Sequence, residues 1–518
     1  MNAFPLAPSG DRMSSLSAGI GLWFLFMQLA IWFSGAGSSD LHWICAPFWL
    51  AALLPLAKVR CADAFSSRGS DDDRTNGRIT GGIALLFGAA WAIALACLYG
   101  SFTFSAYDLG IYDSIAFNTA HGRPFFSSVQ QMNHLGEHFS PIMALFAPLY
   151  RLAPSPGWLL LAGLAAYVSV PFAMQRLLRL HHVDARWGPG LALLWFLNAP
   201  MASAVGFLFH PSTLAAPLVL LAWDAAARKR WKSLAAWLAF LLLFKESLAL
   251  AGAGIGLWLL AGRETRRAGT AVFIASLAAG ALLAGWAIPA VRGEAWTHVD
   301  RIAPLADLPA KLRYVLLLLL PMGVLHARAR ALLPALPLAL LNVSTGFAAQ
   351  YGMGHHYDDA IVPLLFAGAI GALADGGKPI CAGWRIPAAA VFAAVCVLVP
   401  LGPSPLRIAR KHFPSASHRE VRRSLALLQS DARTRDGTWF LQTHLDPFVQ
   451  RTDKTTLDRL GAGAPPENAW AILSPHVPAW PDARFEDARA RIADSPAWMP
   501  ENGFPGLCVF RRRPAENP

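Results

Sequence analysis

The chain has 518 residues, of which 55% are hydrophobic and only 15% charged, against about a quarter charged in an ordinary soluble domain. Its net charge of +12 falls largely in loops between apolar runs, so it reads as a topology signal rather than a nucleic-acid surface. Cys45, Cys61, Cys97, Cys381, Cys396 and Cys508 are scattered without paired spacing, which argues against a disulfide framework and a thiolate zinc site.

In chain order, apolar runs at 15–34, 41–57, 80–102, 157–177, 188–204, 212–227, 233–245, 247–262, 268–290, 313–326, 331–347, 359–375 and 385–402 read as membrane spans. The pattern is that of a mainly α, polytopic helical membrane protein with about thirteen transmembrane helices. The first run has no cleavage site after a short core and reads as a retained helix. Basic loops such as "RLLRLHHVDAR", "ARKRWK", "GRETRR" and "HARAR" fall on alternate turns. The positive-inside rule then makes that side, with the N-terminus, cytoplasmic.

Four regions follow: N-terminal spans over 1–103, an outer loop over 104–156, a transmembrane core over 157–402, and an outer tail over 403–518. In the outer loop, "PIMALFAPLYRLAP" is short and bounded by prolines, as expected of a helix lying in the interface. The tail reads as a small α/β domain. "SHREVRRSLALLQSDA" has helical periodicity, with Ser417 and Glu420 at capping-box spacing. "TWFLQTH", "AWAILSP" and "GLCVFRRR" look like strands, and "FEDARARIADSP" like a second helix.

This topology collects polar residues on the outer face: Asp108, Asp113, His134, Glu137, His138, His210, Lys245, Glu246 and the run His355, His356, Tyr357, Asp358, Asp359. Lys245 and Glu246 interrupt an apolar stretch from 233 to 262. One helix of that length would run about 45 Å, longer than a hydrocarbon core of about 30 Å. Two short helices meeting at the charged pair are expected. Charges at membrane depth point to a functional site, and a structural Lys–Glu pair is the alternative.

His134, Glu137 and His138 spell H-x-x-E-H, the inverted zinc-peptidase motif. Gly136 interrupts it, Pro141 follows it, and no amphipathic helix or third ligand accompanies it. A peptidase is therefore disfavoured. A metal role for Asp108, His134 or His138 stays open, as does simple hydrogen bonding of the two histidines to loop backbone. Gly252 and Gly256 form a G-x-x-x-G that reads as close helix packing.

"YDLGIYDSIAFNTAHGRPFFSS", "HFSPIMALFAPLYRLAPSPGWLLLAGLAAY", "FHPSTLAAPLVLLAW", "FKESLAL" and "HHYDDAIVPLLFAG" occur in that order. The series resembles the bacterial membrane-protein family catalogued as domain of unknown function 2079, from about Tyr107 to Pro518. That family in turn resembles the GT-C class of membrane glycosyltransferases, which use polyprenyl-phosphate sugars. The chain departs from the family pattern at Ser247, where the family has an acidic residue after Lys-Glu, and in two additional spans at the start.

The resemblance implies a glycosyltransferase at the outer face of the bacterial inner membrane. Its partners would be a lipid-linked sugar donor, membrane lipids, and an envelope glycan, lipid or protein acceptor, with no nucleic acid. Asp108, just after a span like the first-loop aspartate of that class, is the expected base, with Asp113 in reserve. Glu137, His138 and His210 would position acceptor or metal. Lys245 would pair with the phosphate, Glu246 would orient it, and His356 and Tyr357 would close the site. No particular cofactor is implied; cationic side chains or a divalent metal at the same depth can hold the phosphate. A transporter or flippase, or a non-catalytic envelope scaffold, is the alternative.

Overall fold

The computed structural model describes residues 70–185, 187–207, 209–296, 301–323, 329–352, 354–374, 403–460, 465–479 and 485–513. The expected spans 15–34, 41–57 and 385–402 lie outside the described residues. Among those described, three helices are long and apolar enough to cross a membrane: α1 (Ser70–Gly100), α3 (Gly157–Leu180), and α9 (Arg266–Leu282) with its continuation to Arg292. A fourth crossing arises if α4 (Trp187–Phe196) and α5 (Ala199–Phe207), bent by 52°, form one broken span. The bend follows the residues: Asn198 accepts from the Met201 amide and Pro200 has no amide to continue the ladder.

The other expected spans are shorter helices, so thirteen full crossings are not established. They include α6 (Ala216–Ala227), α7 (Trp231–Leu241), α8 (Ala249–Leu260), α10 (Leu308–Gly323), α11 (Leu336–Ser344) and α12 (Ile361–Ala374). A ten-residue helix, α2 (Ile111–Ala120), follows the first crossing. The stretch 233–262 does break in two, between α7 and α8, around Lys245 and Glu246. "PIMALFAPLYRL" forms a short apolar helical segment, Pro141–Leu152, with Leu145 and Leu152 exposed.

Glycines let α8 and α9 touch, as the G-x-x-x-G predicted. A Cβ on Gly256 would stand 2.6 Å from the Phe273 amide nitrogen, and one on Gly269 2.5 Å from that of Leu260. The basic turns meet at one end of the bundle. Asp224 receives His181 at 3.1 Å and Arg228 at 3.7 Å, Lys229 pairs with Glu264 at 2.7 Å, and Arg330 donates to the Trp258 carbonyl. The opposite helix ends, the starts of α6, α8 and α12, follow His210, Glu246 and Asp359.

The C-terminal end is a five-stranded mixed sheet in the order β4-β3-β5-β7-β6. The strands are β3 (Thr438–Leu441), β4 (Lys454–Thr456), β5 (Ala469–Leu473), β6 (Trp498–Glu501) and β7 (Cys508–Arg512). The ribbon of β1 (Phe126–Ser127) and β2 (Met132–Asn133) belongs to the loop after α1. β3 runs parallel to β4 and β5, and β7 antiparallel to β5 and β6. Alternation puts Trp439, Leu441, Trp470 and Ile472 on one face, under Val421, Leu425 and Leu428 of α13 (Ala416–Ser430). Phe440, Ala471, Leu473 and Phe510 face Ala488 and Ile492 of α14 (Phe485–Ala493). The expected cap on α13 moves: Ser415, not Ser417, accepts from the His418 amide, and the His418 ring accepts from the Ser415 amide. The box needs only an acceptor at its third helical position, and an imidazole serves in place of Glu420.

Phe102, two residues past α1, is fully buried within the tail's own core. Its ring lies 4.1 Å from that of Phe448, and the Arg422 guanidinium stands over Tyr99, Phe448 and Phe102. The helical bundle and the sheet domain therefore share an apolar plug. Phe102→Ala should destabilise the protein by about 3–5 kcal/mol, with Phe102→Leu retaining most of the stability. Thermal unfolding and limited proteolysis in lipid nanodiscs would read this. An unchanged midpoint and digestion pattern for Phe102→Ala would mean that the tail docks without the plug.

Candidate active site

The site begins where the chain leaves α1 and turns into α2. Asp108 occupies this turn with φ 65° and ψ −89°. That is the strained γ-turn region, rare outside glycine, and a single residue held there costs on the order of 1–3 kcal/mol. Burial pushes the Asp108 carboxyl up to about 6, while the Lys245 ammonium draws it back down. Among the described residues, no side chain donates a hydrogen bond to it.

Lys245 comes from the break between α7 and α8, in extended backbone at φ −167°. It is 8% exposed, and its Nζ stands 5.6 Å over the Tyr357 ring. Among the described residues it makes neither an ion pair nor a hydrogen bond. Glu246 faces the other way. Its two oxygens accept from His138 Nδ1 and from the Phe139 amide, each at 2.9 Å. Two further bonds seat the loop on the break: Ser140 donates to the Phe244 carbonyl and the Ile142 amide to that of Leu243.

The three residues of H-x-x-E-H thus go three ways. His138 meets Glu246, Glu137 pairs with Arg292 at 2.5 Å, and His134 Nδ1 meets Gln130 Oε1 at 2.7 Å. Burial lowers the His134 imidazole to about 3, so it is neutral. The segment is a 3-10 turn, His134–Gly136, rather than a longer helix, and it packs so closely that a Cβ on Gly136 would stand 3.0 Å from the Arg292 backbone. Among the described residues, no three His, Cys, Asp or Glu side chains come together as metal ligands. Asp108, His134 and His138 are accordingly not one ligand set.

His210 stands at the start of the Pro211 turn, its Nε2 3.0 Å from the Tyr112 hydroxyl and its Nδ1 3.1 Å from Ser212 Oγ. It stacks on His356 at 3.6 Å between centroids, and His356 lies 4.3 Å from Tyr357. Both ring nitrogens of His356 are buried and have no hydrogen-bond partner among the described residues. Asp359 accepts from Thr213 at 3.3 Å. Asp358 accepts a short hydrogen bond from Tyr314, which also receives Asn342. The structure therefore gathers Asp108, Lys245, Glu246, His138, His210, His356 and Tyr357 at one end of the bundle. The starts of α6, α8 and α12 lie at the same end, where helix dipoles are positive.

Asp113 stands apart. It is fully buried in the seam with the sheet domain, where Tyr150 donates at 2.8 Å and Gln450 at 3.1 Å, and Lys454 Nζ lies 3.8 Å away. Burial pushes its carboxyl up to about 7, against the pull of Lys454 and these hydrogen bonds. Sequence reasoning missed Tyr112, whose ring meets both His134 and His210. It also missed Arg292, Lys454 and Gln450, for which no local pattern exists.

The fold is similar to that of ArnT from Cupriavidus metallidurans, solved bound to undecaprenyl phosphate. The match has a TM-score of 0.51 and 13% identity, and covers 83% of this chain and 98% of that one. At this identity the likeness is one of fold, and it upholds the resemblance to GT-C proteins at that level. No curated protein sequence matches the chain. The model of the family described as predicted membrane protein (DUF2079) matches residues 98–416, more than half of the chain, and the protein belongs to that family.

Proposed function

We propose that the chain is a GT-C-type membrane glycosyltransferase. It moves a sugar from a polyprenyl-phosphate donor to an envelope acceptor at the outer face of the inner membrane. The observation that carries this reading is Asp108, strained and among the described residues free of hydrogen-bond donors, facing the Lys245 ammonium, which has no ion-pair or hydrogen-bond partner among them. The undecaprenyl phosphate bound by ArnT, a protein of similar fold, supports a lipid-phosphate ligand.

The acceptor hydroxyl attacks the anomeric carbon of the donor. Its proton passes to the Asp108 carboxylate, and the bond from the anomeric carbon to phosphate oxygen breaks with its electron pair on the leaving phosphate. Lys245 offsets the charge that develops there, aided by the positive helix ends. Glu246 holds His138 and the 134–142 loop at the rim, and the Tyr357 face steadies the Lys245 ammonium. His356, stacked on His210 and kept neutral by burial, offers its ring nitrogens to the donor. The described His, Cys, Asp and Glu side chains do not come together as three ligands to a divalent metal.

Three strains test the reading: one lacking the protein, and two complemented with wild type or Asp108→Asn at equal membrane levels. Lipid-linked sugars and envelope glycans are profiled by mass spectrometry. A glycan lost without the protein and not restored by Asp108→Asn is the expected result, and full restoration by Asp108→Asn would overturn the assignment.

In reconstituted vesicles the rate should fall as pH drops through about 6, because the base must be deprotonated. A flat profile between pH 5 and 8, the range in which an unperturbed imidazole also changes charge, would remove Asp108 as base. Lys245→Met should lower the rate by about 10²–10³-fold, with Lys245→Arg retaining part of it. An unaffected Lys245→Met enzyme would place the phosphate elsewhere.

A further inference from the structure

The turn that carries Asp108 has little to hold it from within. Its own bonds are Ser105 Oγ to the Tyr107 carbonyl at 3.2 Å, the Gly110 amide to the Ser105 carbonyl at 3.2 Å, and the Ile111 amide to the Asp108 carbonyl. A strained φ persists only where the surroundings over-determine it. The surroundings here are the C-terminal sheet domain. The Ala106 amide donates to the Thr443 carbonyl at 2.7 Å, just beyond the end of β3. The Tyr107 hydroxyl donates to Asp458 at 2.9 Å, two residues after β4. A Cβ on Gly110 would stand 2.7 Å from Asp446 Oδ1. The residues on either side of Asp108 therefore rest on one wall, and that wall is over 300 residues away in sequence.

The wall is itself fixed by charge. The Lys454 side chain, 1% exposed, donates to the Asp446 carbonyl at 2.8 Å and lies 3.1 Å from Asp446 Oδ1 and 3.8 Å from Asp113 Oδ2. One ammonium holds two buried carboxylates, one from α2 and one from the tail. Without it, both would face each other across the seam.

We propose that the sheet domain is a clamp that sets the geometry of the Asp108 turn, with Asp446, Lys454 and Asp458 as positioning residues that never touch substrate. This rests on the transferase reading for its kinetic consequence, and on contacts alone for its structural one. Gly110 gives a clean probe. Its φ of −66° is helical, so alanine suits the backbone there, and the close neighbours it would meet are the tail carboxylate at 2.7 Å and the Ser105 carbonyl at 3.3 Å. Asp458 gives a second, because it is exposed and its loss leaves the domain core alone.

The test uses the full-length protein in lipid nanodiscs. Backbone hydrogen exchange is followed over residues 104–113 in wild type, Gly110→Ala, Asp458→Ala and Lys454→Met. The same proteins are assayed in reconstituted vesicles with a synthetic polyprenyl-phosphate sugar. Exchange in the turn should rise by about tenfold or more in Lys454→Met and less in the two milder variants, with α3 and α8 unchanged. The kcat should fall with it, by about tenfold in Gly110→Ala, while KM for the lipid-sugar moves little. The acid limb of the pH profile should shift toward the ordinary carboxylate range as the turn opens to water. If Lys454→Met does not fold, the two milder variants decide. Unchanged exchange and kcat in both would overturn the clamp. A wild type that transfers no sugar, yet whose turn responds to these substitutions, keeps the clamp and overturns the transferase reading instead.

Discussion

A carboxylate buried among apolar helices is costly to keep ionised, and the cost falls when its oxygens are taken up by hydrogen bonds. Glu246, 5% exposed between α7 and α8, meets this constraint through one loop segment, since His138 and the Phe139 amide occupy both oxygens. The consequences spread outward. The loop after α2 is drawn against the helix break, and Ser140 and Ile142 complete the seam along carbonyls that the break leaves unpaired. The backbone at Lys245 is extended, and in extended chain successive side chains point to opposite sides. With Glu246 committed to the loop, Lys245 is turned toward Tyr357 and Asp108.

Two carboxylates five residues apart illustrate how surroundings divide labour. Asp113 lies in the first turn of α2 and receives Tyr150 and Gln450, with Lys454 close by. Its hydrogen-bonding capacity is spent on joining the bundle to the sheet domain. Asp108 sits in the kink before the helix and keeps its oxygens uncommitted among the described side chains. Both are pushed up by burial, but Asp108 faces a cation that is unpaired among the described residues and has a conformation that its own short turn does not enforce. A raised pKa alone would not separate them; the hydrogen-bond partners do.

Much of this architecture was legible in the sequence because it is local. The apolar runs, the break at Lys245-Glu246, three of the five tail strands and two of the three described tail helices, α13 and α14, follow from periodicity and from the length a helix can span. The edge strands β4 and β6 were not, because three or four residues such as "KTT" and "WMPE" carry no period. H-x-x-E-H misled for the same reason that local patterns usually succeed. It presumes a helix, whereas Gly136 packs on the Arg292 backbone and the partners of its three side chains come from elsewhere. Position just after a span ranks Asp108 ahead of Asp113, but the contacts that occupy Asp113, from Gln450 and Lys454 more than 330 residues distant, leave no local sign in the sequence. Phe102 read as the last residue of a span, and only the folded chain shows it inside the tail's core.

The junction of bundle and sheet domain uses two kinds of contact for two different ends. Phe102, Phe448 and the Arg422 cation stacked on them bury apolar area, which favours docking but tolerates sliding, since such contact is non-directional. The Asp113–Lys454–Asp446 trio tolerates no sliding. A shift of an ångström or two would strip hydrogen bonds from three groups that are all 2% exposed or less. Buried ion groups add little net stability over an apolar filling of the same shape, and their best-attested use is to fix register. In this seam the register decides where Thr443, Asp446 and Asp458 meet the turn that bears Asp108. A purely apolar interface could have held the two parts together as firmly and would have left that turn free to relax.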